Sequence, residues 1–226
     1  NRQSLHFKQL FDSINFFGFN NLYHEHISYG TLNDSDGNPF KTRDGGTKPL
    51  SELFEETYRY IKNINDSLEE STIKQLTNSV LTFSDLITNR KTDYKFDLEK
   101  FTNVNGKTGI YVQYAQVRAK KLLKSLDQSR DDPDNLLLTE VDKKLLSKLF
   151  MFGYFLEQAL SLNEPHHLAN YLYDISNLFN QFYESEKVSE LTDLGQLSSK
   201  IFLINLFLTT SHNVMYCLGI VPAEQM

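Results

Sequence analysis

The sequence predicts a mainly α-helical protein in two parts, and three observations carry that reading. The second half holds four long amphipathic stretches, at about 110–126, 140–161, 165–184 and 194–218. The first half holds shorter helical stretches separated by polar, glycine-bearing connections. The texture changes near residue 108, which divides the chain into 1–108 and 109–226. Four helices on short connections make an all-α bundle.

Taken in order, residues 4–18 read as a helix ended by Gly18, with Leu5, Leu10, Phe11 and Ile14 near helical spacing. Residues 23–32 read as a strand. The Gly-, Asp- and Asn-rich run from Asn33 to Gly46 reads as a loop, with a hairpin turn at Asp36-Gly37. Leu50 to Ile64 reads as a helix capped by Ser51, with Glu52, Glu55 and Glu56 in the first turns, where the dipole favours them. Another helix covers 71–87, and 88–108 is a connecting segment.

Beyond 108, the breaks between helices hold Asp131-Asp132-Pro133-Asp134, Asn163-Glu164-Pro165 and a polar run from Glu184 to Asp193. Pro165 suits a first helical turn. Leu168, Tyr171, Leu172, Ile175, Leu178, Phe179 and Phe182 then share one face.

Hydrophobic residues make up 40% of the chain, enough for a packed core, and the net charge is −6. That charge counts against a small basic RNA module but leaves room for a local basic strip. A single cysteine, Cys217, excludes an internal disulfide and points to a reducing, cytoplasmic setting; its place in the last helix reads as core. The longest apolar run, Ile201 to Leu208, is too short to span a bilayer, which takes ~20 residues. No membrane partner is expected.

Four constellations invite chemistry. Asn38 to Gly46 sets Lys41 and Arg43 on a glycine-rich loop, which fits either a solvated hairpin or a phosphate-holding loop. Asp34, Asp36 and Asn38 open like a calcium loop, but Pro39 and Gly45 occupy the places that need Gly and Glu. His24 with His26, and His166 with His167, lack partner ligands at metal spacing, and the second pair is expected to point in different directions, so no metal is expected.

The helix beginning near Gly109 is the fourth. At about 100° per residue, Val112, Ala115, Ala119, Leu122, Leu123 and Leu126 form its buried stripe. Tyr111, Tyr114, Arg118 and Lys121 gather in a narrow arc beside it. Such an edge suits unstacked bases and phosphates, and equally a bundle helix with half-buried tyrosines and snorkelling cations.

Four ordered segments resemble arginyl-tRNA synthetases. They are Arg2-Gln3-Ser4-Leu5-His6-Phe7; His26-Ile27-Ser28-Tyr29-Gly30 running into Phe40-Lys41-Thr42-Arg43-Asp44-Gly45; Asn89-Arg90-Lys91-Thr92-Asp93-Tyr94 with Phe96-Asp97; and Tyr111-Val112-Gln113-Tyr114-Ala115 with Arg118. Leu168 to Tyr173, Phe179-Asn180, Phe182-Tyr183, Leu218-Gly219-Ile220 and the closing Pro222-Ala223-Glu224-Gln225-Met226 agree as well.

The resemblance implies the closing part of a Rossmann-type α/β catalytic domain with its KMSKS-like loop over 1–108, and a DALR-type anticodon-binding bundle over 109–226. It implies that Lys41 and Arg43 act on the ATP triphosphate and that Gln3 meets arginine. It implies that Tyr111, Gln113, Tyr114, Arg118 and Met226 meet the anticodon. The partners it implies are tRNA(Arg), arginine, and ATP with Mg2+, on a monomeric protein. No His-x-Gly-His signature occurs in the sequence, so a fragment that binds tRNA but does not aminoacylate alone is expected. A free-standing non-catalytic paralogue and a plain helical interaction domain are the alternatives.

Overall fold

The computed structural model describes residues 3–19, 21–33, 49–95, 97–103, 105–126 and 135–226. Lys41, Arg43, the turn at Asp36-Gly37 and the break at Asp131–Asp134 lie outside the described residues. The order of elements is α1 (Ser4–Phe16), β1 (Leu32–Asn33), α2 (Leu50–Ile64), α3 (Glu70–Leu86), β2 (Tyr94–Lys95), α4 (Leu98–Phe101), α5 (Gly109–Ser125), α6 (Glu140–Leu149), α7 (Phe152–Leu162), α8 (His166–Ser185) and α9 (Leu194–Cys217). One 3-10 turn, Val188–Glu190, precedes α9.

The expected strand over 23–32 is extended chain that pairs only at its end. Leu32 and Asn33 lie parallel to Tyr94 and Lys95, a two-residue ladder. The connecting segment 88–108 therefore contains β2, and also the one-turn helix α4 capped by Asp97. Ser51 is not the cap of α2. Pro49 stands there, and its carbonyl accepts from the N–H groups of Glu52 and Leu53.

The expected single helix over 140–161 is two. A turn at Phe150-Met151 separates α6 from α7, so α5 to α9 form a bundle of five helices rather than four. Helix α6 starts at a capping box, in which Thr139 and Asp142 satisfy each other's backbone N–H groups. Asp142 is fully buried and also takes both contacts from the buried Lys200 of α9, at 2.9 and 2.8 Å. Glu186 adds a third contact to Lys200 at 3.1 Å.

Two apolar cores share α5. Val112, Ala115 and Ala119 enter the larger one, with Tyr171, Phe179 and Phe182 of α8 and Phe207 of α9. Ile110 and Val117 enter the smaller one, with Ile73, Leu76 and Val80 of α3 and Ala223 of the tail. The stripe predicted for α5 is thus on its bundle side, and the helix has a second buried side against α3. Gly109 makes that approach possible, because a Cβ there would collide with the carbonyl of Ser79. The predicted face of α8 is buried throughout, with Leu178 partly so.

Helix α9 ends in a Schellman turn. Gly219 takes φ +70°, and Ile220 N–H reaches back to the Met215 carbonyl at 2.8 Å. Cys217 is exposed on this last turn, not in the core as expected. The turn sends residues 220–226 back along α5. At the other end of the chain α1 buries no residue, and Phe16, Phe17 and Phe19 are exposed. Among the described residues no helix is long and apolar enough to cross a membrane.

Candidate nucleic-acid interface

Helices α5 and α8 pack side by side, and their outer edges leave a cleft of about 340 Å³ lined by Tyr114, Arg118, Lys121, Tyr183, Ser189 and Met226 among others. Arg118 is its centre. Its guanidinium carbon sits 4.5 Å from the ring centroids of both Tyr114 and Tyr183. Its Nη2 donates to the Tyr114 hydroxyl at 2.8 Å, and its Nη1 donates to Asn180 Oδ1 at 3.0 Å. Glu184 stands 3.5 Å from Nη1. A guanidinium has five N–H donors in a rigid fork, so donors remain to face the cleft.

The Arg118 side chain is only 19% exposed and fixed from three sides, whereas Tyr114 is 41% and Tyr183 39% exposed. The cation is held against one face of each ring, and both tyrosines remain partly exposed. A snorkelling arginine would keep its head in water.

Tyr111 belongs to an adjoining, drier cluster. It is half-buried, bonded through its hydroxyl to Asn177, and packed against the Tyr173 ring at 5.3 Å. Lys107 lies over the Tyr173 ring and bonds Asn170. Burial raises the Tyr173 hydroxyl above its ordinary range, with help from Tyr111 and Asp174.

Gln113 does not belong to the contact edge. Its exposure is 0%, and its amide is consumed inside. Nε2 donates to Ser79 Oγ at 2.8 Å and to the Val221 carbonyl at 2.7 Å, and Oε1 accepts from Ala223 N–H at 2.7 Å. It falls on the α3 side of α5, about 100° from Tyr114, a side that a one-stripe reading of the helix leaves to solvent. What Gln113 does is clip the tail. Lys120 completes the clip through the Ala223 carbonyl and Glu224, and the Lys120 ammonium holds the Glu224 carboxyl below its usual range. Met226 is thereby delivered to the cleft, with its carbonyl 3.5 Å from Lys121 Nζ.

The motifs include Asn180 and Tyr183 on the α8 side of the cleft, but the sequence reading gives them no site role. Asn177, Asn180 and Glu184 recur at three- and four-residue spacing beside Tyr183, which puts them on one face. That spacing was the available signal.

Gln3 is exposed at the start of α1, makes no capping hydrogen bond, and does not line this cleft. Among the described residues one group of three possible metal ligands converges, Glu164 with His166 and His167. The two imidazoles do not point apart as expected, since their centroids are 4.2 Å from each other.

Residues 112–226 match the family described as DALR anticodon binding domain, and residues 1–98 match that described as tRNA synthetases class I (R), catalytic domain. A curated arginine–tRNA ligase of Francisella tularensis subsp. novicida is 36% identical over 213 residues, spanning 89% of this chain and 37% of the relative. Another, of Stutzerimonas stutzeri, is 33% identical over 237 aligned residues, spanning 100% and 41%. The chain therefore spans about two-fifths of the length of these relatives. The Thermus thermophilus arginyl-tRNA synthetase structure superposes with a TM-score of 0.79 at 24% identity, covering 89% of this chain and 35% of that one. That from Plasmodium falciparum gives 0.75 at 23%, covering 99% and 40%. At these identities the structures establish a shared fold.

Proposed function

The chain belongs to the arginyl-tRNA synthetase family, and from that membership we propose that its α5–α8 cleft grips the anticodon of tRNA(Arg). The observation that carries the reading is the Tyr114–Arg118–Tyr183 sandwich. The exposed parts of the two tyrosine rings offer splayed bases a stacking surface, and the arginine between them neutralises a phosphate. Lys121 and the Met226 end of the tail border the same cleft. Tyr111 acts as a support for this edge through α8. The net charge of −6 is no obstacle, because the cations needed are gathered locally.

The protein's reaction, on this reading, is the attachment of arginine to tRNA(Arg) with ATP and Mg2+. Lys41 and Arg43 meet the triphosphate as charge shifts during adenylate formation, and Gln3 meets arginine. We divide the chain near residue 108, in line with the separate matches over 1–98 and 112–226. Arginylation is proposed of a protein of the relatives' length, since His-x-Gly-His is not among these 226 residues. We place the protein in the cytoplasm as a monomer, a setting that suits the exposed thiol of Cys217.

Filter binding separates this reading from a plain helical interaction domain. tRNA(Arg) is expected to bind more tightly than the same tRNA with a swapped anticodon. Equal binding of both would remove the anticodon from the account.

A further inference from the structure

Where α7 gives way to α8, the chain makes a tight corner. Asn163 takes a left-handed conformation, φ +52°, and Pro165 begins the next helix. The corner folds Glu164 inward, so that this charged residue is only 8% exposed. One carboxylate oxygen, Oε1, is accounted for by Lys91 Nζ at 2.8 Å. The other, Oε2, faces two imidazoles, with His167 Nε2 at 3.4 Å and His166 Nδ1 at 4.0 Å. All three atoms lie within 4.8 Å of one another.

Both ring nitrogens are buried, and neither has a hydrogen-bond partner. The 3.4 Å approach of His167 lacks the alignment of a hydrogen bond. Buried polar atoms are rarely left unsatisfied, and those that are call for an explanation such as a bound ion. Zinc bonds of about 2.0–2.1 Å place two tetrahedral ligand atoms about 3.3 Å apart. The observed separations approach that figure, and two imidazoles with a carboxylate are a donor set that late first-row divalent ions favour.

We propose that Glu164, His166 and His167 form a binding site for a zinc-class divalent cation, with water as the fourth ligand. Glu164 would then bridge the ion and Lys91. The neighbouring Arg90 donates from Nε to the Asn163 carbonyl at 2.8 Å, and its Nη1 donates to the Ser28 carbonyl. An ion at the corner therefore tightens the seam between the bundle and the segment 28–33. The cationic neighbours Arg90 and Lys91 oppose the ion and set its affinity below that of a four-ligand structural site.

Cobalt(II) tests this on the full chain, since tetrahedral Co2+ absorbs visible light and Zn2+ displaces it. One equivalent of Co2+ is expected to bind and to be chased by Zn2+. His166→Asn and His167→Asn should each weaken binding by more than about tenfold, because even ligand-supporting residues contribute about 10- to 100-fold. His24→Asn and Cys217→Ser should bind as the parent does. Should the asparagine variants unfold, the parent alone decides, through the ring-proton resonances of His166 and His167 during a Zn2+ titration. Absence of a one-equivalent cobalt spectrum, undiminished binding by both asparagine variants, or ring resonances unmoved by Zn2+ would overturn the proposal.

Discussion

The amide oxygen of Gln113 accepts a 2.7 Å hydrogen bond from the backbone N–H of Ala223, 110 residues further along the chain. With the Val221 carbonyl bonded to the same side chain, this amide is the fastening point of the tail. Gln113→Leu removes both hydrogen bonds and leaves the buried Ala223 N–H unsatisfied. Such a group costs about 1–3 kcal/mol. Urea denaturation should register a loss in that range, and the Ala223 amide should exchange faster than in the parent. Unchanged exchange at Ala223 would show that the clip holds nothing.

Lys200 and Asp142 are buried together, 2% and 0% exposed at the side chain. Removing one partner of such a pair strands the other's charge and costs about 3–5 kcal/mol, whereas replacing both by apolar groups is often neutral. Lys200→Met is expected to cost that amount in chemical denaturation. Asp142 also serves the capping box of α6, so the double variant with Asp142→Leu should recover only part of the loss. Independent, additive losses in the two single variants would show that the charges are uncoupled.

Gly109 opens α5 against the backbone of α3. Gly109→Ala places a methyl group into the Ser79 carbonyl, a clash with backbone that cannot rotate away. Overpacking of this kind costs about 1–3 kcal/mol. A fall in thermal midpoint is expected; no fall would mean that α3 and α5 can separate freely.

Lys121 borders the cleft without an ion-pair partner among the described residues, and touches only the Met226 carbonyl. Lys121→Ala should weaken tRNA binding by a similar factor whatever the anticodon, and reduce the slope of log K against log salt by about 1. A sequence-selective loss would assign Lys121 to base recognition instead of phosphate.

How much of this was legible follows from what periodicity encodes. The faces of α5 and α8 were readable because Val112, Ala115 and Ala119, and Tyr171, Ile175 and Phe182, repeat at helical spacing and are buried. The second side of α5 was not, because its occupant is a polar Gln113, satisfied by a tail that sequence spacing does not place. The split between α6 and α7 was hidden for a related reason. No proline or glycine marks Phe150-Met151, so the apolar pattern runs on across the turn. Cys217 read as core from its type, yet it falls on the outer face of the last turn of α9. At the candidate site Tyr114, Arg118 and Met226 line one cleft, while Tyr183 and Asn180 come from α8, and only the packing of two helices makes them neighbours.

The binding account rests on Arg118 held between two partly exposed tyrosines, and the most direct measurement is the affinity of Tyr114→Ala and Arg118→Ala for tRNA(Arg) beside its anticodon-swapped counterpart. A stacked base contributes about 1–3 kcal/mol. Tyr114→Ala should therefore lose about 5- to 150-fold in affinity for tRNA(Arg) and much less for the swapped tRNA, and Arg118→Ala should weaken both tRNAs alike, with folding unchanged by circular dichroism. Parent-like affinity for tRNA(Arg) in both variants would contradict the account.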